Sequence, residues 1–176
     1  MGTKLHLGCG THKLPGWINV DCQSRLGPDE LVDLTKFPWP WADDSIEAIY
    51  SSHLLEHLPD TLSTMGECHR ILKTGGTMEA VVPFAATITY LSDPTHCRPW
   101  TDQTVDYFIK GHPSCIYTDF GFTLLFNRLL SNGMNSPEKA PFTVRRVLRN
   151  LIPFRAQLKL IFLGMYDEVH FKLRKE

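Results

Sequence analysis

Two short apolar segments, each followed at once by residues that can bind a ligand, constrain this chain more than any other feature. The first, residues 4–7, ends at a Gly-Cys-Gly triplet, and the second, residues 17–20, ends at Asp21. Glycines after a strand let the backbone turn tightly and bring a ligand close to bare N–H groups. A carboxylate ending the neighbouring strand can accept two hydrogen bonds from a ribose diol. The pattern predicts a nucleoside pocket at the carboxyl edge of a parallel sheet.

Length and cysteine usage predict one domain, 1–176, in a reducing compartment. A chain of 176 residues can bury its own core without disulfides or metal. The five cysteines are odd in number and scattered without a C-x-x-C pair, which predicts free thiols. With no long apolar run and no room for a signal peptide before the first strand, we expect a cytoplasmic protein without a transmembrane segment.

The spacing of apolar residues predicts an α/β fold. Apolar positions from Thr61 to Leu72 recur at helical intervals, with Thr61 and Ser63 as candidate caps and residues 73–76 as the stop. Strand–helix–strand alternation predicts a parallel sheet with helices on both faces. The predicted strands of the first half are 4–7, 17–20, 30–34, 46–51 and 77–83.

The second half has a weaker pattern. We predict loop from 84 to 115 with one helix at 102–109, and closing strands at 116–130 and 168–173. Between the two strands we predict a turn at 132–137 and a helix over 142–162 interrupted at Pro153.

Charge is distributed unevenly along the chain. Up to Glu138 there are 9 basic and 16 acidic residues, a net charge of −7, whereas from Lys139 onward 9 basic and 3 acidic residues give +6. The basic segment 144–159 fits either a solvated helix face packed on the sheet or a surface for a membrane or polyanion. The apolar residues within 142–166 also fit contact with a partner subunit.

The glycine turn does not match the sequence pattern of a dinucleotide-binding site. The nicotinamide fingerprint requires a third glycine near position 13 and an acid about 20 residues further on. Position 13 is a lysine, and Asp21 follows Gly10 by 11 residues. This spacing leaves little room for a crossover helix whose N-terminus would bind a pyrophosphate.

The sequence contains the residue pattern of a zinc hydrolase without an evident third zinc ligand. Residues 53–57 read His-Leu-Leu-Glu-His, the inverted zinc-peptidase pattern, in which both histidines share one helix face. A catalytic zinc needs a third protein ligand, for which the sequence offers no strong candidate. Because His53 follows a predicted strand directly, we place it in the strand-to-helix turn and expect no metal site.

Several motifs, in order and spacing, resemble one branch of the class I S-adenosylmethionine-dependent methyltransferases, a small stand-alone group with the signature GCG-x-x-x-LPG-[WY]-x-N-[VL]-D. The resemblance covers residues 4 to about 100 and implies a mostly parallel seven-stranded sheet with an antiparallel last strand. It also implies a cofactor-binding half, 4–83, and a substrate-side half, 84–176. The matching motifs are Gly8-Cys9-Gly10, Leu14-Pro15-Gly16-Trp17, Asn19-Val20-Asp21, Asp33-Leu34, Leu55-Glu56-His57-Leu58 and Leu72-Lys73-Thr74-Gly75-Gly76.

The same resemblance implies how S-adenosylmethionine would be held. Gly8 and Gly10 would face its methionine part, and Asp21 the ribose hydroxyls. Asp33 would lie near the adenine amino group. The expected cofactor-binding residues are Leu7, Gly8, Cys9, Gly10, Asp21, Asp33, Leu34, Ser51, Ser52 and His53.

Residues 92–100 contain the candidate acceptor-side groups. Asp93 and His96 fall just after the fifth predicted strand, and a histidine beside a carboxylate can act as a general base near neutral pH. Equally, Asp93-Pro94 can form a simple turn, with Arg98 paired to Asp93 or Asp102. The candidate catalytic residues are His53, His57, Asp93 and His96.

Two motifs that the sequence lacks limit the classes of methyl acceptor that we expect. The chain has no [DNS]-P-P-[YFW] tetrapeptide, which counts against methylation of adenine or cytosine amino groups, and no Pro-Cys nucleophile for cytosine ring carbons. We expect methyl transfer to an oxygen on a glycan or small metabolite. The alternatives are a nucleic-acid methyltransferase acting through the basic C-terminal region, a zinc hydrolase, and a non-catalytic cofactor-binding module.

Overall fold

The sheet is built from strands that begin and end close to the predicted positions. The structure is a computed structural model that describes residues 2–85, 87–130 and 167–176. Its strands are β1 (Thr3–Leu7), β2 (Ile18–Asp21), β3 (Glu30–Leu31), β4 (Ile46–Ser52), β5 (Leu72–Pro83), β6 (Phe122–Leu130) and β7 (Glu168–Lys175).

These strands form one seven-stranded sheet in the order β3-β2-β1-β4-β5-β7-β6. The first five positions pair in parallel, while β7 runs antiparallel to both of its neighbours, β5 and β6. The predicted mostly parallel sheet with an antiparallel last strand is therefore confirmed. Strands β2 and β3 lie on one side of β1, and β4 and β5 lie on the other, so the strand order reverses between β1 and β4. The turn that follows β1 therefore lies beside the end of β4. Such a reversal is where open α/β sheets bind ligands.

The first crossover contains no helix, as the short spacing predicted. Residues 8–17, between β1 and β2, form turns only. The remaining helical segments of the described chain are α1 (Thr61–Ile71), α2 (Ile88–Ser92) and three 3₁₀ segments, Ser24–Leu26, Leu55–His57 and Asp102–Phe108. The predicted helix at 102–109 is thus a 3₁₀ helix.

The N-cap of helix α1 lies one residue before the first of the two predicted caps. Asp60 is the N-cap, and its carboxylate accepts the backbone N–H of Ser63 at 3.0 Å. The predicted caps, Thr61 and Ser63, lie inside the first turn. Aspartate is among the strongest N-cap residues because its oxygen satisfies an N–H that the helix leaves unpaired.

The predicted helix stop at residues 73–76 lies within strand β5. Leu72 pairs with Ile46 and Thr77 with Ala48, so the four residues between Leu72 and Thr77 bulge out opposite Glu47. A Cβ on Gly76 would lie 2.8 Å from the Lys73 carbonyl oxygen, so only glycine fits this bulge. A helix and a strand can therefore follow one another without a separating loop.

Two other strands are shorter than predicted. The third strand ends at Leu31 instead of residue 34, and the first closing strand begins at Phe122 instead of residue 116. The predicted strands at 4–7, 17–20, 46–51, 77–83 and 168–173 are all present within one to five residues of their predicted limits.

The two faces of the sheet differ in polarity. On one face Leu5, Ile49, Met78 and Leu173 stand side by side on four neighbouring strands and belong to the buried core. Residues of α1 belong to the same core. The other face carries, in the same register, the polar row His6, Tyr50, Glu79 and Lys172. Helices on both faces stay a prediction, because the helix predicted at 142–162 lies outside the described residues.

A charge network outside the sheet holds the loop before β4 against α1. The Glu67 carboxylate accepts two hydrogen bonds from the Arg70 guanidinium, both at 2.7 Å, and one from the backbone N–H of Trp39 at 2.6 Å. Arg70 also donates to the carbonyl oxygens of Trp39 and Trp41. Bidentate carboxylate–guanidinium pairs are strong because both hydrogen bonds are charge-assisted.

We expect Glu67→Gln to lower the free energy of unfolding by about 2 kcal/mol, since charge-assisted hydrogen bonds in a half-buried site are lost. Hydrogen bonds from Arg70 keep the pKa of Glu67 below its usual range. A lowered pKa adds stability above the unfolded-state pKa, about 4.3 for glutamate. Urea unfolding from pH 3 to 7 should therefore show a difference that is constant above about pH 5 and shrinks as the pH falls. A constant difference at every pH would contradict this account.

Several predicted segments lie outside the described residues. These are the turn at 132–137, the helix at 142–162, the basic segment 144–159 and the subunit contact within 142–166. Among the helices that the structure describes, none has the length and apolar character needed to cross a membrane.

Candidate functional site

The turn after β1 exposes bare backbone at the carboxyl edge of the sheet. Gly8 and Gly10 adopt left-handed backbone conformations, with φ of +65° and +52°. A Cβ on Gly8 would lie 2.8 Å from the Cδ1 atom of Leu54, whereas one on Gly10 would meet nothing within 4 Å. Gly8 is therefore needed for packing as well as conformation, and Gly10 borders open space where a ligand can approach the main chain.

The Asp21 carboxylate is fixed by this glycine turn. Its Oδ2 accepts the Gly10 N–H at 2.9 Å and its Oδ1 accepts the Gln23 N–H at 2.9 Å. Each carboxylate oxygen has two acceptor positions, so both oxygens retain one for a further donor. Leu7 and Cys9, on either side of Gly8, are buried. Burial also raises the pKa of the Cys9 thiol, which keeps it neutral.

Asn19 holds the loop that carries the glycines, a role that sequence reasoning did not assign. Its Oδ1 accepts the Leu14 N–H at 2.8 Å, and its Nδ2 donates to the Trp17 carbonyl and to Asp29 Oδ2 at 2.7 Å. Hydrogen bonds from Asn19 lower the pKa of Asp29. Asn19 is therefore a positioning residue, and its only sequence signal was a polar residue inside an apolar strand.

Asp33 lies two residues beyond the end of β3, in a turn. Its Oδ1 accepts the backbone N–H and the hydroxyl of Thr35, at 3.1 and 2.6 Å. These hydrogen bonds lower the pKa of Asp33. The side chain of Leu34 is buried, and its carbonyl accepts the Trp39 indole N–H at 3.1 Å. Asp33 therefore stabilises its own turn, and its predicted contact with adenine remains a prediction.

Strand β4 ends in a strained backbone conformation. His53 has φ of +53°, which is uncommon for a residue other than glycine, and its N–H donates to the Val81 carbonyl at 2.9 Å. Ser51 is fully buried and Ser52 is half-buried. Strain of this kind is frequent at functional sites because the surrounding structure must hold it in place.

His53 lies between two carboxylates. Its Nε2 is 3.1 Å from Glu168 Oε1 and its Nδ1 is 3.5 Å from Glu56 Oε1. Glu168 and Glu56 together raise the pKa of His53 to about 9, so the ring is an imidazolium at neutral pH. Glu168 begins β7, 115 residues further along the chain, and no local sequence signal connects it with His53.

The other candidate catalytic residues gather around Glu56. Glu56 is fully buried, and His57 Nε2 and His96 Nε2 lie 3.9 and 3.8 Å from its Oε1. The Glu56 carbonyl accepts the N–H groups of Cys97 and Arg98, at 2.9 and 3.0 Å. These backbone bonds attach the loop after α2 to the 3₁₀ turn Leu55–His57, so residues about 40 positions apart in the sequence form one cluster.

Asp93 forms a local turn as well as belonging to this cluster. Its Oδ1 accepts the Thr95 hydroxyl at 2.6 Å and the Thr95 N–H at 2.8 Å, and these bonds lower the pKa of Asp93. Its Oδ2 lies 3.8 Å from His96 Nε2. Arg98 donates to the Pro59 carbonyl, so in the structure this bond replaces the expected pair with Asp93 or Asp102.

The zinc-peptidase arrangement is not formed. His53 lies in the turn before the 3₁₀ segment Leu55–His57, as expected, so His53 and His57 do not share a helix face. Within the described chain, a different set, Glu56, His57 and His96, has ligand atoms within 4.8 Å of one another.

Comparison with known proteins points to one enzyme class. A family model described as a methyltransferase domain matches residues 22–80. No curated protein sequence matches this chain significantly.

Many solved structures share the fold, and three of them illustrate the likeness. An Archaeoglobus fulgidus S-adenosylmethionine-dependent methyltransferase has a TM-score of 0.69 at 16% identity, over 99% of this chain and 86% of that one. A Mesorhizobium loti S-adenosylmethionine-dependent methyltransferase has a TM-score of 0.60 at 15% identity, over 98% and 90%. Haemonchus contortus phosphoethanolamine N-methyltransferase 2, solved with S-adenosyl-L-methionine, has a TM-score of 0.63 at 13% identity, over 99% of this chain and 49% of that one. This chain therefore spans about half the length of the Haemonchus enzyme.

These likenesses confirm the predicted class I methyltransferase fold. Together with the family match over residues 22–80, they support the predicted enzyme class, an S-adenosylmethionine-dependent methyltransferase.

Proposed function

We propose that this chain transfers a methyl group from S-adenosylmethionine to an oxygen atom of a glycan or small metabolite. One observation carries the cofactor part of the proposal: the Asp21 carboxylate, at the end of β2, is held by the Gly10 N–H beside open space. A nucleoside with a free ribose diol fits this arrangement, because each carboxylate oxygen has an acceptor position left.

In the proposal, residues are assigned to each part of the cofactor. Gly8 and Gly10 face its methionine part, with the buried Leu7 and Cys9 packed behind them, and Asp21 accepts from its ribose hydroxyls. Asp33 and the turn at Leu34 lie on the adenine side. Ser52 lies on the sulfonium side with Ser51 buried behind it, together with His53, whose charge the Glu168 and Glu56 carboxylates offset. The short, helix-free first crossover supports a single nucleoside in preference to a dinucleotide. When bound, the cofactor supplies a methyl group activated by a positively charged sulfur.

Positioning of the acceptor provides most of the catalysis in this proposal. Holding two reacting groups in line can lower a barrier by roughly 7–11 kcal/mol. The side chains of His53 and Asp93 are 40% and 43% exposed, which supports contact with the acceptor. His53 is held by Glu168 and Glu56 through its two ring nitrogens and borders the acceptor with its exposed ring edge, and Asp93 is the candidate proton acceptor. His57 and His96 face Glu56 instead.

The acceptor class rests on the branch that the signature motifs resemble and on the missing nucleic-acid motifs. The nucleic-acid alternative depends on residues 144–159, outside the described chain. Free thiols at all five cysteines support a cytoplasmic location for the enzyme.

A labelled-methyl assay tests the proposal. Purified protein and methyl-labelled S-adenosylmethionine are incubated with extracts separated into glycans, small metabolites, nucleic acids and proteins. We expect label in the glycan or metabolite fraction, in an alkali-stable ether or an ester. Label confined to nucleic acid or protein would overturn the acceptor class. Absence of label in every fraction, with cofactor binding intact, would favour a non-catalytic cofactor-binding module.

A further inference from the structure

A buried carboxylate lacks the hydrogen bonds that burial normally requires. Glu56 is fully buried, and neither of its side-chain oxygens has a hydrogen-bond partner in the described structure. Its nearest charged group, the His53 imidazolium, forms an ion pair with Glu56 Oε1 at 3.5 Å, while the other ring nitrogen of His53 is hydrogen-bonded to Glu168. This ion pair leaves both oxygens of a buried carboxylate without a hydrogen bond, and a metal ion is a further way to stabilise such a group. The other neighbours of the Glu56 Oε1 atom are the Nε2 atoms of His57 and His96.

The protonation of His96 follows from its partner. Its Nδ1 lies 2.7 Å from the Tyr90 carbonyl oxygen, which can only accept, so Nδ1 carries a hydrogen. In the neutral ring Nε2 then has a lone pair. That lone pair faces Glu56 Oε1 at 3.8 Å and Asp93 Oδ2 at 3.8 Å. The neutral His96 ring thus has two carboxylate oxygens near Nε2 and forms a hydrogen bond with neither.

The same argument applies to His57. The Thr95 hydroxyl lies 2.6 Å from Asp93 Oδ1 and donates its proton there, so it accepts from His57 Nδ1 at 3.0 Å. The Nε2 atom of His57 is left as the acceptor, and it faces Glu56 Oε1 at 3.9 Å. In their neutral forms both rings present Nε2 lone pairs to one carboxylate oxygen, Glu56 Oε1, while each Nδ1–H group is hydrogen-bonded to an oxygen of Tyr90 or Thr95.

We propose that Glu56, His57 and His96 bind a divalent transition-metal ion of the zinc type. Two imidazole nitrogens and one carboxylate oxygen form a common zinc donor set. Zinc-bound histidines characteristically donate their other N–H to a carbonyl or a polar side chain, as His57 and His96 do. Zinc bonds of about 2.0–2.1 Å place tetrahedral ligand atoms about 3.4 Å apart, so small side-chain movements convert the present separations into ligation.

The surroundings favour a cation and give it a route inward. The Asp93 carboxylate adds negative charge beside His96, and the side chain of His57 is 31% exposed, so an ion can enter from solvent. The Glu56 carbonyl already binds the N–H groups of Cys97 and Arg98. The ion would therefore fasten the loop that carries Asp93 to the turn after β4. This site differs from the zinc-peptidase pattern, in which His53 would replace His96.

Metal binding is measured by titrating chelator-treated protein with Co²⁺, followed by visible absorbance, and then displacing Co²⁺ with Zn²⁺. We expect one ion per chain, a tetrahedral-type Co²⁺ spectrum, and a rise in melting temperature with Zn²⁺, because a ligand that binds only the folded state stabilises it. No saturable binding at millimolar Zn²⁺ would overturn the proposal.

Variants locate the site. We expect His96→Ala and His57→Ala each to weaken Zn²⁺ binding by at least about 100-fold, and Thr95→Val by about tenfold because it only orients His57. His112→Ala is the matched control, since His112 has a similar surface pairing with Asp106, 3.9 Å away. Cys97→Ser tests whether the thiol next to His96 is a metal ligand, and this variant should bind Zn²⁺ like the unmodified protein. Unchanged binding in folded His57→Ala, or loss in Cys97→Ser or His112→Ala, would overturn the assignment.

The metal site does not rest on the proposed methyl transfer. The variant Gly10→Val, which alters only the glycine turn, should bind Zn²⁺ like the unmodified protein. Loss of cofactor binding and loss of metal binding are therefore separate results.

Discussion

Replacing Gly10 with valine should abolish cofactor binding while leaving the protein folded. Gly10 has φ of +52° and borders open space, and a Cβ at this position would have no atom within 4 Å. A β-branched residue there costs about 1–2 kcal/mol in the left-handed region and projects methyl groups where the ligand approaches the backbone. We expect the dissociation constant for S-adenosylhomocysteine, measured by calorimetry, to rise by at least about 100-fold, equivalent to about 2.7 kcal/mol.

Gly111→Val separates strain from ligand contact. Gly111 has φ of +80° and likewise has no atom within 4 Å of a Cβ position, but it lies in the turn after the 3₁₀ helix Asp102–Phe108. Both variants should lose similar unfolding free energy, and only Gly10→Val should lose affinity. Equal affinities for S-adenosylhomocysteine in the two variants would show that the turn after β1 does not contact the ligand.

Asp21→Asn should be the second most damaging change. Both carboxylate oxygens accept backbone N–H groups, from Gly10 and Gln23, so one must face an amide nitrogen in the variant. The ribose hydroxyls also lose a charged acceptor, and a hydrogen bond to a charged group contributes about 1.5–3 kcal/mol. We expect S-adenosylhomocysteine to bind about 10–100-fold more weakly by calorimetry. Asp106→Asn, at the surface pair with His112, is the charge-matched control and should bind normally.

A ligand lacking both ribose hydroxyls identifies what Asp21 recognises. The dideoxy analogue of S-adenosylhomocysteine should bind the unmodified protein weakly, and Asp21→Asn should weaken it little further. Such non-additivity is the signature of two groups in direct contact. Fully additive losses would mean that Asp21 acts only through the glycine turn.

Local features of the fold were predictable from the sequence. The sequence predicted the glycine turn and the position of Asp21 because both depend on neighbouring residues: a glycine permits the turn, and the apolar run before Asp21 marks the end of a strand. Helix α1 was predicted to within one residue because its apolar positions follow one period. The alternation of apolar and polar side chains between the two faces of the sheet was not predicted. The large rings of His6 and Tyr50 are compatible with a fully apolar strand, yet in the structure they line the polar face.

Features that depend on distant residues could not be predicted. Glu168 meets His53 only because β7 pairs antiparallel with β5, which places Glu168 opposite Pro83. Likewise, the lone pairs that converge on Glu56 depend on a carbonyl at Tyr90 and a hydroxyl at Thr95. Asp33 falls inside the predicted third strand, 30–34, although Thr35 two residues later provides the local hydroxyl that turns the chain there.

Binding of S-adenosylhomocysteine to the unmodified chain, measured by titration calorimetry, tests the central claim most directly. A pocket formed by the glycine turn and Asp21 predicts one molecule per chain with a dissociation constant of about 1–100 μM, equivalent to roughly −8 to −5.5 kcal/mol. The absence of any binding heat at millimolar ligand, in a protein shown to be folded by circular dichroism, would contradict the account.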